Sequence, residues 1–216
     1  MAVTDLSVLG TNGTAFFGVA TSGTWAQFRT ATSCKNLSVD GTLEILYRSL
    51  SALGGSYEYD HTLFQFDTSG ISNAVASEFR INCTSITDTP KSILFKGAAS
   101  TPFSVNVGGG FNGMLNWPSS PTPYSNVGGT AISTGMHSIT LNADGISDIN
   151  SGHTLQVYLV EYHQGNDVTP PTGTENHRAN FNNTNLALRV TTPEPFVHPI
   201  ISSGKITILN GKISLE

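Results

Sequence analysis

His61 to Ile71 reads HTLFQFDTSGI, and Ala76 to Ser85 reads ASEFRINCTS. In the first stretch Leu63, Phe64 and Phe66 put apolar side chains on both faces of an extended chain. In the second, Phe79 and Ile81 alternate with Glu78, Arg80 and Asn82. Alternation with a period of two is the signature of a strand, and apolar residues on both faces mark a central one. Working outward, similar runs cover Thr42 to Tyr47, Ser92 to Phe95, Ser138 to Leu141, Thr154 to Tyr162 and Leu186 to Thr191, each bounded by Gly, Pro, Asn or Asp. Helical periodicity is nearly absent, with Leu50 to Gly54 the one stretch that reads as a single helical turn. The expectation is an all-β fold, a sandwich of two antiparallel sheets. Its core should include Phe64, Phe66, Phe79, Ile81, Leu155, Val157, Leu159, Leu188 and Val190.

The 216 residues suit one domain of this kind. Charged residues make up 12% of the chain, about half the usual share, and the formal net charge is -5. With no Lys/Arg cluster, nucleic acid is not an expected partner. No apolar run reaches the ~18 residues of a membrane helix, and MAVTDLSVLG lacks the basic start of a secretory signal, so a soluble chain without membrane contact is expected. A surface rich in Ser, Thr, Asn and Gly suits broad protein or sugar contacts. Cys34 and Cys83 show neither a disulfide framework nor metal-knuckle spacing, and read as packed thiols.

Two stretches, 108–130 and 165–180, read as long loops. The first displays Phe111, Met114, Trp117 and Tyr124 among Gly and Pro. These aromatics have two readings: a contact surface at low entropic cost, or a satellite core folded back on itself. After Pro193-Glu194-Pro195, residues 205–216 read KITILNGKISLE. Ile206, Ile208, Ile213 and Leu215 alternate about Asn210-Gly211, a strong hairpin signal. A lone hairpin is marginal in water. Its apolar face must lie on the sandwich or on a neighbouring subunit, and the Pro-rich lead favours the neighbour.

HTLFQFDTSGI leading into ASEFRINCTS resembles the strand–turn–strand opening of carbohydrate-binding-module-like jelly rolls of the DNRLRE type. HSITLNADGISDINSG (His137 to Gly152), TLQVYLVEY (Thr154 to Tyr162) and NLALRVTT (Asn185 to Thr192) resemble their later segments. Gln65 stands where that family has Arg, and Asn185-Leu186 replaces its closing Pro-x-Leu. The resemblance implies a jelly-roll β-sandwich at 57–192; around it the chain reads as N-terminal strands and an arm at 1–56, a Pro-rich linker at 193–204 and a C-terminal hairpin at 205–216. Jelly rolls of this kind often hold a structural calcium, for which Asp60, Asp67, Asp144 and Asp148 are candidates, although each also reads as a strand end or turn cap. The composition is similar to that of tailed-phage virion proteins used as head decorations, collars and fibre heads.

For catalysis the six histidines show no H-x-H or H-E-x-x-H spacing, no G-x-S-x-G elbow occurs, and Gly108 to Gly110 lacks a following Lys. Glu161 and His163 would share a strand face and read as a surface pair. The expectation is a non-enzymatic virion structural protein without cofactor, assembled in the host cytoplasm as a homo-oligomer with other virion proteins. The alternative is a glycan-binding module stacking sugars on Trp117 and Tyr124.

Overall fold

The computed structural model describes residues 1–9, 14–20, 36–38, 43–50, 56–97, 122–166, 168, 176–194, 206–209 and 212–215. Two antiparallel sheets pack face to face as a β-sandwich. The strands are β1 (Ala2–Leu6), β2 (Thr14–Ala20), β3 (Asn36–Ser38), β4 (Leu43–Leu50), β5 (Ser56–Asp67), β6 (Ala76–Thr87), β7 (Lys91–Lys96), β8 (Thr130–Ala131), β9 (Gly135–Thr140), β10 (Thr154–Glu161), β11 (Asn176–Thr192), β12 (Ile206–Leu209) and β13 (Lys212–Leu215). Strands β4 to β7, β9 to β11 and the hairpin strands fall on the alternating runs, while β1, β2, β3 and β8 lie outside them. Hydrogen bonding runs in the order β8-β7-β10-β5-β4-β11-β6-β9, and β1 joins β11 while β2 joins β5.

The long strand β5 explains how one continuous ladder makes two layers. Its first half pairs with β4 (Leu46↔Asp60), and its second half pairs with β10 (Phe64↔Val157, Phe66↔Leu155). The ladder forks there: β10, β7 and β8 continue one layer, while β4 leads to β11, β6 and β9 in the other. β11 is long for a similar reason. Its first half lies between β4 and β6 and its second half between β1 and β6, with register shifts between Asn180 and Ala187 separating them. Asn185 sits at φ 59° in this irregular stretch, a conformation Asn tolerates better than most residues.

The period-two rule decides what is inside. All nine residues expected in the core are buried, and they form one cluster with residues from both layers. Phe64 on β5 meets Phe79 on β6 across the interior at 5.0 Å between ring centroids, tilted by 51°, and Phe66 meets the same ring edge-on at 6.2 Å. Such tilted geometries suit the ring quadrupole. The other face of β5, β7 and β10 is buried too, through Leu63, Ile93, Phe95, Tyr158 and Val160. This agrees with the apolar residues on both faces of those runs.

Several elements differ from the sequence reading. An eight-residue helix, α1 (Ala143–Asn150), lies where only a strand-to-strand connection was expected. Asn142 caps it by accepting from Gly145 N at 3.1 Å, and its apolar side, Ile146 and Ile149, rests on the core. A four-residue turn of helix, α2 (Tyr162–Gly165), ends β10. Leu50 closes β4 rather than opening a helical turn, and 51–54 lie outside the described residues. The second long loop is shorter than expected, because β11 already begins at Asn176, ten residues before the run at Leu186. No helix among the described residues is long and apolar enough to cross a membrane.

Phe66 is 0% exposed, so Phe66→Ala should cost about 3–5 kcal/mol in chemical denaturation. A cost under about 1 kcal/mol would mean that β5 does not face the interior.

Candidate functional site

Among the described residues, the C-terminal end of β10 gathers a carboxylate, two imidazoles and two phenols. At Glu161 the strand stops and the chain turns into α2. The Glu161 carboxylate caps that turn, with Oε2 accepting from His163 N at 2.6 Å. The same carboxylate lies 3.1 and 3.2 Å from His163 Nδ1. From the other layer, β4 and β11 bring Tyr47 opposite His177 in register. The Tyr47 ring stacks on His163 at 5.1 Å and 19°, the two imidazoles lie 4.7 Å apart, and Tyr162 meets His163 edge-on. Glu161, His163 and His177 each offer one donor atom, all within 4.8 Å of one another.

Glu161 is therefore not half of a surface pair, as the sequence suggested: it is 0% exposed. Strand periodicity would have left both side chains on one outward face. Instead the chain leaves the strand at Tyr162, and the Glu161 side chain turns inward and accepts from a backbone N–H, as a buried polar group must be paired. His177 and Tyr47 carry no sequence signal for this role, because a separation of 14 residues between the two histidines matches no metal-binding spacing.

A second imidazole, His137 on β9, lies 2.7 Å from Ser92 Oγ on β7. Both residues are buried, and burial pushes the His137 pKa down to about 4, so the ring is neutral at physiological pH. His137 also stacks at 6.4 Å on Phe181, within the core wall. The Ser–His contact joins the layers from the inside.

Of the residues the sequence marked for interaction, Phe111, Met114 and Trp117 lie outside the described residues. Tyr124 is a correction. It is 1% exposed and belongs to the core, so it is no surface platform. Residues 122–125 run beside β7, with Tyr124 N donating to Leu94 O at 2.8 Å and Leu94 N to Ser125 Oγ at 2.9 Å; this places the ring inside. Its hydroxyl donates to Asp148, which also pairs with Lys96 at 2.6 Å. Burial, reinforced by Asp148, drives the tyrosine pKa far up. Burial opposes ionisation of Asp148, but its bonds to Lys96 and Tyr124 outweigh this and hold the carboxyl below the usual range.

The four candidate calcium aspartates do separate work. Asp67 accepts from Ser69 N at 2.9 Å in a turn, Asp144 sits in the first turn of α1, Asp148 is occupied as described, and Asp60 is buried in β5. None of them belongs to the converging trio of ligating groups found among the described residues. Cys83 is a buried free thiol, and Cys34 lies outside the described residues, as do Gly108 to Gly110. A surface depression of about 550 Å³ beside β1 is lined mostly by small and hydroxylated side chains, and one of about 680 Å³ beside α1 by these together with Val75, Leu141, Ile146 and two asparagines.

β12 and β13 form the expected hairpin. Ile206 pairs with Leu215 and Ile208 with Ile213, which assigns these four positions to one face; the innermost pair, Leu209↔Lys212, leaves a two-residue connection at 210–211, outside the described residues. No protein-family model matches the chain, and no curated protein matches it in sequence.

The His137 shift has a pH consequence. Between about pH 6.5 and about pH 4 the unfolded chain binds a proton at this residue and the folded chain does not, so stability falls as the pH drops through that window. His137→Gln should flatten this part of the stability–pH curve by up to about 3 kcal/mol. An unchanged slope in urea titrations at pH 7 and pH 4.5 would show that His137 titrates normally in the folded chain.

Proposed function

We propose that the chain is a non-enzymatic structural subunit of a tailed-phage virion, a jelly-roll sandwich that works through protein–protein assembly in particles built in the host cytoplasm. The observation that carries this reading is the C-terminal hairpin. Among the described residues, β12 and β13 form their own two-stranded sheet, apart from the eleven-stranded ladder. An isolated hairpin is marginally stable in water, and one with four apolar positions on a single face needs a covering surface. A second copy of the chain supplies it. The ladder ends at β8 and β9 among the described residues, and open strand edges accept added strands.

The low charge and the Ser-, Thr-, Asn- and Gly-rich composition support broad, weakly charged contacts. The resemblance to DNRLRE-type jelly rolls and to phage virion domains supports the particular setting. A reading without catalysis is favoured by the enclosure of the Ser92–His137 pair in the core, where a substrate carbonyl has no approach. The glycan-binding alternative loses support with Tyr124, one of its two platforms.

The test is light scattering on the intact chain beside a chain ending at Pro199. The intact chain should be an oligomer whose mass does not change on dilution, and the shortened chain a monomer that still melts cooperatively. The same oligomeric mass in both, or an intact chain that is monomeric, would overturn the reading.

A further inference from the structure

We propose that Glu161, His163 and His177 bind a zinc-class divalent metal ion that clips the two layers of the sandwich together, a role independent of the assembly reading. The donor set is two imidazoles and one carboxylate, a combination that recurs at zinc and other first-row transition-metal sites. Metal–ligand bonds of about 2.0–2.1 Å in a tetrahedron set donor atoms about 3.3 Å apart. His163 Nδ1 already lies 3.1 and 3.2 Å from the two Glu161 oxygens. The His177 donor falls within the 4.8 Å limit of the trio and closes the remaining gap by rotation of its ring. A water completes the fourth position.

Three features pre-organise these ligands. The Glu161 carboxylate is completely buried and held by the His163 backbone N–H, so it cannot swing into solvent. His163 is contacted by the stacked Tyr47 ring and the edge-on Tyr162 ring, which restrict its plane. Tyr47 is anchored in turn through its hydroxyl, which donates to Val168 O at 2.8 Å. A carboxylate–imidazole hydrogen bond alone would account for Glu161 and His163. It would not account for a second imidazole arriving from β11 with its ring centroid 4.7 Å from the first.

The chemistry also selects the ion. Calcium and magnesium prefer six or more oxygen donors, and two of these three donors are nitrogen. The mechanical consequence follows from the fold. Glu161 ends β10 in one layer with His163 in the turn of α2 that follows it, and His177 lies at the start of β11 in the other, so one ion spans the joint between them. Metal that binds the folded chain alone raises its stability.

The experiment uses the full chain stripped with chelator and dialysed against zinc chloride, with cobalt chloride as a spectroscopic probe. The intact chain should take up one equivalent of zinc, melt at a higher temperature when loaded, and give the intense visible bands of four- or five-coordinate cobalt. His177→Gln should weaken uptake at least about tenfold, since even outer-shell changes cost 10–100-fold. His153→Gln, at an exposed histidine outside the trio, should leave uptake unchanged. The proposal is overturned if the intact chain gives only the weak spectrum of hydrated cobalt, or if His177→Gln binds zinc as tightly as the intact chain. The cobalt spectrum of the intact chain decides the matter even if the variant fails to fold.

Discussion

The contact of Phe64 and Phe66 with Phe79 is the interaction on which the rest of the structure depends. Phe64 and Phe66 belong to β5, whose ladder continues into β10 and β7; Phe79 belongs to β6, whose ladder continues into β11 and β9. The three rings meet at the centre of the cluster that joins the layers. Each ring fixes the facing of its strand, because a one-residue slip would move every apolar side chain of that strand to the wrong face. Leu155, Val157 and Leu159 then face inward by their pairing with β5, and Leu188 and Val190 by their pairing with β6.

A core of this kind leaves polar groups to satisfy, and several of them meet a partner from another element. His137 meets Ser92, Tyr124 meets Asp148, and Glu44 on β4 pairs with Arg178 on β11 at 2.6 Å. Buried polar groups are tolerated only when paired, and here each pairing also joins elements distant in sequence. Glu161 follows the same rule at the end of β10. The requirement to satisfy its buried carboxylate bends the chain into α2 and carries His163 towards His177.

What was legible in the sequence divides along the same line. Strands such as β6 and β10 announced themselves because alternation is a local pattern. The hairpin did so as well, because Asn-Gly between alternating runs is a local signal. α1 was missed because it is short, contains Gly145, and shows only Ile146 and Ile149 at helical spacing, while its strongest mark is the Asn142 cap. The first half of β11 reads NHRANFNN, too polar for a strand on pattern alone, and is held by its neighbours β4 and β6. Tyr124 and the Glu161–His163–His177 trio were illegible for a different reason: their environment comes from strands far away in the chain, and no spacing encodes it.

The proposal keeps stability and function apart: a sandwich locked from within by aromatic contacts, and a hairpin in a sheet of its own to which assembly is assigned. Its most direct test is a double-mutant cycle on the cross-layer pair, comparing Phe64→Ala, Phe79→Ala and the double variant by chemical denaturation. Rings in contact at 5.0 Å should show a coupling of about 0.5–1.5 kcal/mol beyond the separate costs. Costs that simply add, within about 0.3 kcal/mol, would contradict the account, because the two layers would then not meet through these rings.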